Sequence, residues 1–208
     1  MTWLYRTLHF IGSYFVALLH RTEVIGRENV LKKQGVILAS NHSSYWDPVI
    51  LCASMWRPLH YITKSELFST RFGRFLFTAT GQIEVERGKG DHEALVNAIK
   101  ALKERKAVVF FPEGTTFEGE KLGKGHTGVA RVAIKAETPV VPVAIFNTWN
   151  ILGKGKKFPR FLKAKVVFGE PLYFDEYYGR GDDKKATREA TGKIMQKIAA
   201  LLGKKYEY

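Results

Sequence analysis

Short apolar runs alternate with helical patterns along most of this chain. Seven runs predict strands: "EVIG", "GVILAS", "HYIT", "QIEVE", "VVFF", "VVPVAIF" and "KVVFG". Several are rich in β-branched residues and bounded by Gly, Pro or Asn, as expected of strands covered on both faces. Between them, "DPVILCASMW", "HEALVNAIKALKER" and "GVARVAIKAET" predict helices; in the second, Ala94, Leu95, Ala98, Ile99 and Leu102 keep helical spacing. Asp47 followed by Pro48 predicts an N-cap with proline at the first helical position. A last helix, from roughly Lys184 to Leu202, sets Ala190, Ile194, Ile198 and Leu201 on one face and lysines on the other. It is expected to pack on the domain and close it. Strands alternating with helices predict an α/β fold, with a largely parallel or mixed central sheet of about seven strands flanked by helices.

The amino-terminal stretch has a different pattern. From Trp3 to Leu19 it runs 17 residues, interrupted by Arg6, Thr7 and His9. As a helix it reaches roughly 26 Å, short of a ~30 Å hydrocarbon core. No small-residue cleavage site follows the apolar part, which argues against a signal peptide. Trp3, Tyr5 and Tyr14 are amphipathic aromatics suited to the headgroup level. Residues 1–22 are therefore expected to form one membrane-interfacial or monotopic helix, and residues 23–208 a single domain. A helix docked on the core fits the same pattern.

Composition narrows the partners. The chain has 208 residues, 45% hydrophobic and 25% charged, with room for a real core. Lys and Arg number 33 against 20 acids, a formal charge of +13, and the pI is near 9.8. Such a surplus points to phosphate-rich partners: nucleic acid, an anionic membrane surface or phosphorylated substrates. The single cysteine, Cys52, lies in an apolar stretch, excludes an intramolecular disulfide and reads as an inert buried thiol in a reducing compartment.

Charge is concentrated in "WNILGKGKKFPRFLKAKVVFG". Lys154, Lys156, Lys157, Arg160, Lys163 and Lys165 are interleaved with Phe158 and Phe161, after Trp149. Basic residues with aromatics suit an anionic lipid surface or single-stranded nucleic acid; a solvated loop is the plain alternative. The apolar amino-terminal helix favours the membrane, and no recognised nucleic-acid motif is present.

Three segments carry candidate chemistry. In "SNHSSYWDP", His42 and Asp47 stand five positions apart, about 500° around a regular helix, so they meet only if the chain turns between them. A histidine at a strand exit, with a carboxylate holding one ring nitrogen, is a general-base arrangement. Taken alone, the pair also fits a helix cap and a loop residue. In "VVFFPEGTTF", an apolar strand ends before Glu113, Gly114, Thr115 and Thr116, whose amides and hydroxyls suit a phosphate or an oxyanion. In "GQIEVERGKGD", Arg87 ends a strand, where it suits a phosphate monoester or a surface salt bridge.

"NHSSYWD", "GQIEVERG", "FPEGTT" and "VVPVAI", in that order, resemble the glycerolipid acyltransferase family, specifically the bacterial 1-acylglycerol-3-phosphate acyltransferases. The resemblance runs from about Glu23 to Leu172. It implies transfer of a fatty acyl group from acyl-carrier protein or coenzyme A to lysophosphatidate, giving phosphatidate. By the same resemblance His42 is the catalytic base and Asp47 its orienting carboxylate. Arg87 takes the acceptor's phosphate, and Glu113 and Gly114 belong to the acceptor-binding block. Family members commonly continue "FPEGT" with arginine, whereas this chain has Thr116. Lys64, Lys121 and Lys124 are candidates to replace that charge, or the acceptor headgroup differs.

The expected reaction is direct transfer. His42 removes the acceptor's hydroxyl proton, backbone amides near His42 or Gly114 receive the oxyanion, and no acyl-enzyme forms on Cys52. A carboxylate repels phosphate, so Glu113 is expected to orient Arg87 or a hydroxyl. No cofactor and no metal are expected beyond the acyl donor. The expected location is the cytoplasmic face of the cell membrane. A non-catalytic anionic-lipid-binding protein would keep the basic surface without needing His42 and Asp47 together.

Overall fold

A computed structural model describes residues 12–85, 90–117, 119, 121–153 and 155–208. Residues 12–19 form helix α1. The strands are β1 (Glu23–Ile25), β2 (Val36–Ser40), β3 (Leu59–Lys64), β4 (Ile83–Val85), β5 (Ala107–Phe110), β6 (Val140–Phe146) and β7 (Lys165–Phe168). The further helices are α2 (Asp47–Ala53), α3 (Arg71–Ala79), α4 (Gly90–Lys103), α5 (Gly128–Ala136), α6 (Thr148–Ile151) and α7 (Lys184–Leu201). Every apolar run predicted as a strand is one.

The strands form one seven-stranded sheet in the order β1-β7-β6-β2-β5-β3-β4. From β6 through β4 all neighbours are parallel. The sheet is mixed because β7 returns antiparallel to β6, and β1 then pairs parallel with β7. Five parallel strands thus end on one edge, where open α/β sheets bind ligands.

All five residues of β2 are buried, which explains the unbroken "VILAS". Its alternate side chains enter two separate cores. Ile37 and Ala39 pack with residues of α4, α5 and α7. Val36 and Leu38 pack with Ile50 and Leu51 of α2 and Ile151 of α6. Each Val, Ile or Leu side chain so buried contributes about 1.5–3 kcal/mol, and a charge in β2 would break the layer. Helix α7 starts at Asp183, whose carboxylate accepts from the amides of Lys185 and Ala186, a regular N-cap.

Two helices, α3 and α6, go beyond the predicted set: α6 has only four residues, too few for a periodic signal, whereas Phe72, Phe75, Leu76 and Ala79 give α3 an i, i+3, i+4, i+7 apolar spacing. Asp47 is not the N-cap predicted: Trp46 occupies that position without a side-chain cap. Of the expected amino-terminal helix, residues 1–11, with Trp3 and Tyr5, lie outside the described residues. In α1, Val16 packs on the α2 side of the core while Tyr14, Phe15 and Leu18 are exposed. Among the described residues, no helix is long and apolar enough to cross a membrane.

Candidate active site

The site begins where β2 stops. Asn41 replaces a rung of the ladder with its side chain, Oδ1 accepting from the Ile145 amide at 2.8 Å and Nδ2 donating to its carbonyl at 3.0 Å. Pairing with β6 therefore continues through a side chain, and the main chain is free to leave the sheet at His42.

The loop then turns, as the five-residue spacing required. His42 Nδ1 lies 2.8 Å from Asp47 Oδ2. The same oxygen accepts from the amides of Ser43 and Ser44, each at 2.8 Å. This is why Asp47 does not cap its own helix: its carboxylate reaches back to the loop it follows. The other oxygen, Oδ1, accepts from the hydroxyl of Thr148, which in turn lies 3.0 Å from Ser43 Oγ. A fully buried carboxylate needs several donors, and Asp47 has four.

These contacts set the chemistry of His42. With a carboxylate at Nδ1, the neutral ring carries its proton there, leaving Nε2 as the base. The Phe111 ring stacks on the imidazole, centroids 4.1 Å apart and planes 19° apart. The side chain stays 16% exposed, enough for a substrate to reach it.

Glu113 fixes the main chain of the same residue. Its Oε1 accepts from the His42 amide at 2.9 Å and its Oε2 from the Gly123 amide at 2.6 Å. The Phe117 amide donates to the His42 carbonyl at 2.9 Å, joining the two loops again. Burial pushes the Glu113 carboxyl above the usual range, opposed by the Gly123 and His42 amides. Both oxygens thus accept from backbone amides, while Arg87, an expected partner, lies outside the described residues. Gly114 turns the chain at φ +68°, in the left-handed region, where a side chain would be strained.

The amides expected to receive an oxyanion are already used. That of His42 serves Glu113, those of Ser43 and Ser44 serve Asp47, and that of Gly114 donates to the Phe111 carbonyl at 3.0 Å. Thr115, which is exposed, and Thr116 follow on the same turn.

Thus the structure brings His42, Asp47, Glu113, Gly114 and Thr115 to one edge. Arg87 lies outside the described residues, as does the side chain of Lys64. By strand order β3 is two places and β4 three places from β2, roughly 10 and 14 Å. Lys121 and Lys124 are exposed on the segment after the Glu113 turn.

Thr148, Phe111 and the Gly123 amide were missed. Thr148 carries no motif; only the adjacency of β6 and β2 brings it beside Asp47.

A structurally separate anchor lies behind the loop. His20, buried at the end of α1, accepts at Nε2 from Trp46 Nε1 at 3.1 Å and donates from Nδ1 to the Leu162 carbonyl at 3.0 Å. Ser44 Oγ donates to the Leu152 carbonyl at 2.6 Å. The ends of the basic, aromatic segment are thus tied to the His42–Asp47 loop and to α1. Lys156, Lys157, Arg160 and Phe161 are exposed, and Phe158 is 81% exposed. Lys154 lies outside the described residues.

The acyltransferase family matches residues 21–146. The chain is 32% identical over 145 residues to the 1-acyl-sn-glycerol-3-phosphate acyltransferase of Borreliella burgdorferi, covering 69% of this chain and 58% of that protein. It is 27% identical to the enzyme of the same name from Bacillus subtilis, over 88% of each chain. It spans 50% of the chloroplastic BAT2 enzyme of Brassica napus, at 24% identity over 79% of this chain. The fold matches the crystal structure of the 1-acyl-sn-glycerophosphate (LPA) acyltransferase PlsC from Thermotoga maritima. The TM-score is 0.76 at 22% identity, over 98% of this chain and 81% of that one.

Proposed function

The chain belongs to the acyltransferase family, and from that premise we propose that it transfers a fatty acyl group from a thioester donor to the free hydroxyl of lysophosphatidate, giving phosphatidate. The donor is acyl-CoA or acyl-carrier protein. The observation that carries this reading is the contact of 2.8 Å between His42 Nδ1 and Asp47 Oδ2, at the sheet edge where ligands bind.

His42 Nε2 takes the hydroxyl proton as the acceptor oxygen attacks the thioester carbonyl carbon. Asp47 stabilises the imidazolium, an assistance worth about 10²–10⁴-fold. As the carbon–sulfur bond breaks, the imidazolium returns the proton to the thiolate, so protons balance without an acyl-enzyme. Thr115 and Thr116, next on the turn, are the nearest candidates for oxyanion donors. Glu113 acts as a positioning residue, holding the His42 main chain. Arg87 takes the acceptor's phosphate, with Lys64, Lys121 and Lys124 as further cations.

Substrate and product both partition into a bilayer, so the site works at the cytoplasmic face of the cell membrane, peripherally or monotopically. The exposed Tyr14, Phe15 and Leu18 of α1 and the Phe158 segment support anionic-lipid contact.

The test is a purified-protein assay with lysophosphatidate and competing lysolipids, with both donor types and His42→Ala as control. Acyl transfer to lysophosphatidate that disappears in His42→Ala is expected. Transfer only to another lysolipid would favour a second reading, to which Thr116 in place of arginine points. No transfer with any pair would leave a non-catalytic lipid-binding protein.

A further inference from the structure

Helix α3 presents its aromatic residues outward. At 100° per residue, Arg71, Phe72, Arg74, Phe75 and Thr78 fall within one arc of about 160°, and all five are exposed. Phe72 is 74% and Phe75 61% exposed, and Leu67 in the preceding turn is exposed as well. The inward side holds the buried Gly73 and the half-buried Phe77, whose ring lies 5.4 Å from that of the buried Phe68. Single exposed hydrophobics are ordinary. Three large ones within nine residues, interleaved with two arginines and no acid on the helix, form a patch with a chemistry of its own.

Its position adds a second observation. The turn carrying Leu67 leaves the carboxyl end of β3, and the Phe158 segment leaves that of β6. In the order β6-β2-β5-β3, the loops of His42 and Glu113 emerge between these two. The candidate site is therefore bracketed at its sheet edge by two basic, aromatic elements.

We infer that α3 is a second lipid-docking element, which with the Phe158 segment holds the mouth of the site against an anionic bilayer. The inference rests on the lipid-surface reading of the proposed function. Phe72, Phe75 and Leu67 enter the acyl boundary, while Arg71 and Arg74 hold lipid phosphates in bidentate fashion. Contact on both flanks lets a lysolipid pass sideways from the bilayer to His42.

The experiment compares the full chain with Phe72→Ser/Phe75→Ser and with Arg71→Gln/Arg74→Gln. Each is sedimented with phosphatidylcholine vesicles containing phosphatidylglycerol, and assayed with a short-chain acceptor below its micelle concentration. The phenylalanine variant is expected to bind vesicles about tenfold or more weakly, as two rings leave the lipid. The arginine variant is expected to bind these vesicles about tenfold more weakly at low salt and to lose part of its salt dependence, the cations of the Phe158 segment supplying the rest. Both should keep the parent rate on the dispersed acceptor, which also reports correct folding. Parent-like vesicle binding in both variants would overturn the inference, while binding and transfer by the parent would leave the proposed function standing. Parent-like vesicle binding with a rate lost only with a protein-carried donor would overturn it in favour of a protein-docking helix. If the parent transfers no acyl group, the proposed function fails, and the vesicle comparison still decides the role of α3.

Discussion

Thr148 and Asp47, 101 positions apart, are joined by a hydrogen bond from the Thr148 hydroxyl to Asp47 Oδ1. Both side chains are fully buried. The carboxylate oxygen opposite the His42 contact is thereby held by a residue from another strand exit. Thr148→Val keeps the shape and removes the donor, leaving part of a buried charge unsatisfied. It is expected to cost about 1–3 kcal/mol of stability and to lower kcat by about tenfold by loosening the base. Thr148→Ser should restore both, since the hydroxyl is what Asp47 uses. Denaturant unfolding and steady-state rates check this; parent-like behaviour of the valine variant would remove Thr148 from the site.

Asp47→Asn separates the two tasks of that carboxylate. An asparagine oxygen can still accept from the Ser43 and Ser44 amides, so the loop should keep its turn. The negative charge beside the imidazolium is lost. The rate is expected to fall about 10³-fold with far less change in KM, and with a folded spectrum by circular dichroism. A fall of less than fivefold would mean that Asp47 only shapes the loop.

How much of this was legible in the sequence depended on distance along the chain. The seven strands were readable because each is a short local run of apolar residues, unbroken in the buried β2, β5 and β6 and alternating in β7. The turn between His42 and Asp47 was readable because a spacing of five cannot share a helical face. What the sequence could not supply was the strand order, and with it Thr148, which reaches Asp47 only because β6 lies beside β2. Glu113 was picked out by its motif, but its partners, the amides of His42 and Gly123, carry no side-chain signature. Asp47 misled as an N-cap because Asp before Pro is a local signal, overridden here by two loop amides and a hydroxyl. Helix α3 carries a legible spacing in Phe72, Phe75, Leu76 and Ala79, but that Phe72 and Phe75 face outward is visible only in the structure.

Cys52 should prove inert. Burial pushes its thiol up to about 11, so at neutral pH the nucleophilic thiolate is scarce. Iodoacetamide at pH 8 is expected to leave the folded chain largely unlabelled, and Cys52→Ala to retain the parent rate. Rapid labelling coupled to loss of activity would reopen an acyl-enzyme route.

The pH dependence of stability should bear the mark of Glu113. Its carboxyl is raised in the folded chain by burial and takes the ordinary value when unfolded. Between those values the folded chain holds a proton that the unfolded chain has released, so stability falls as pH rises. The contribution is fully present below the unfolded value, near 4.5, and is lost as pH rises through the raised folded value. Glu113→Gln removes the titration, although its amide group must face one of the two N–H donors and so weakens the turn at every pH. The parent's unfolding free energy minus that of Glu113→Gln is therefore expected to shrink as pH climbs from 4 towards neutrality. Urea unfolding of both proteins across that range measures the difference. A difference that is flat or grows with pH would mean that the two amides outweigh burial and that Glu113 is ionised from the acid end of the range upward.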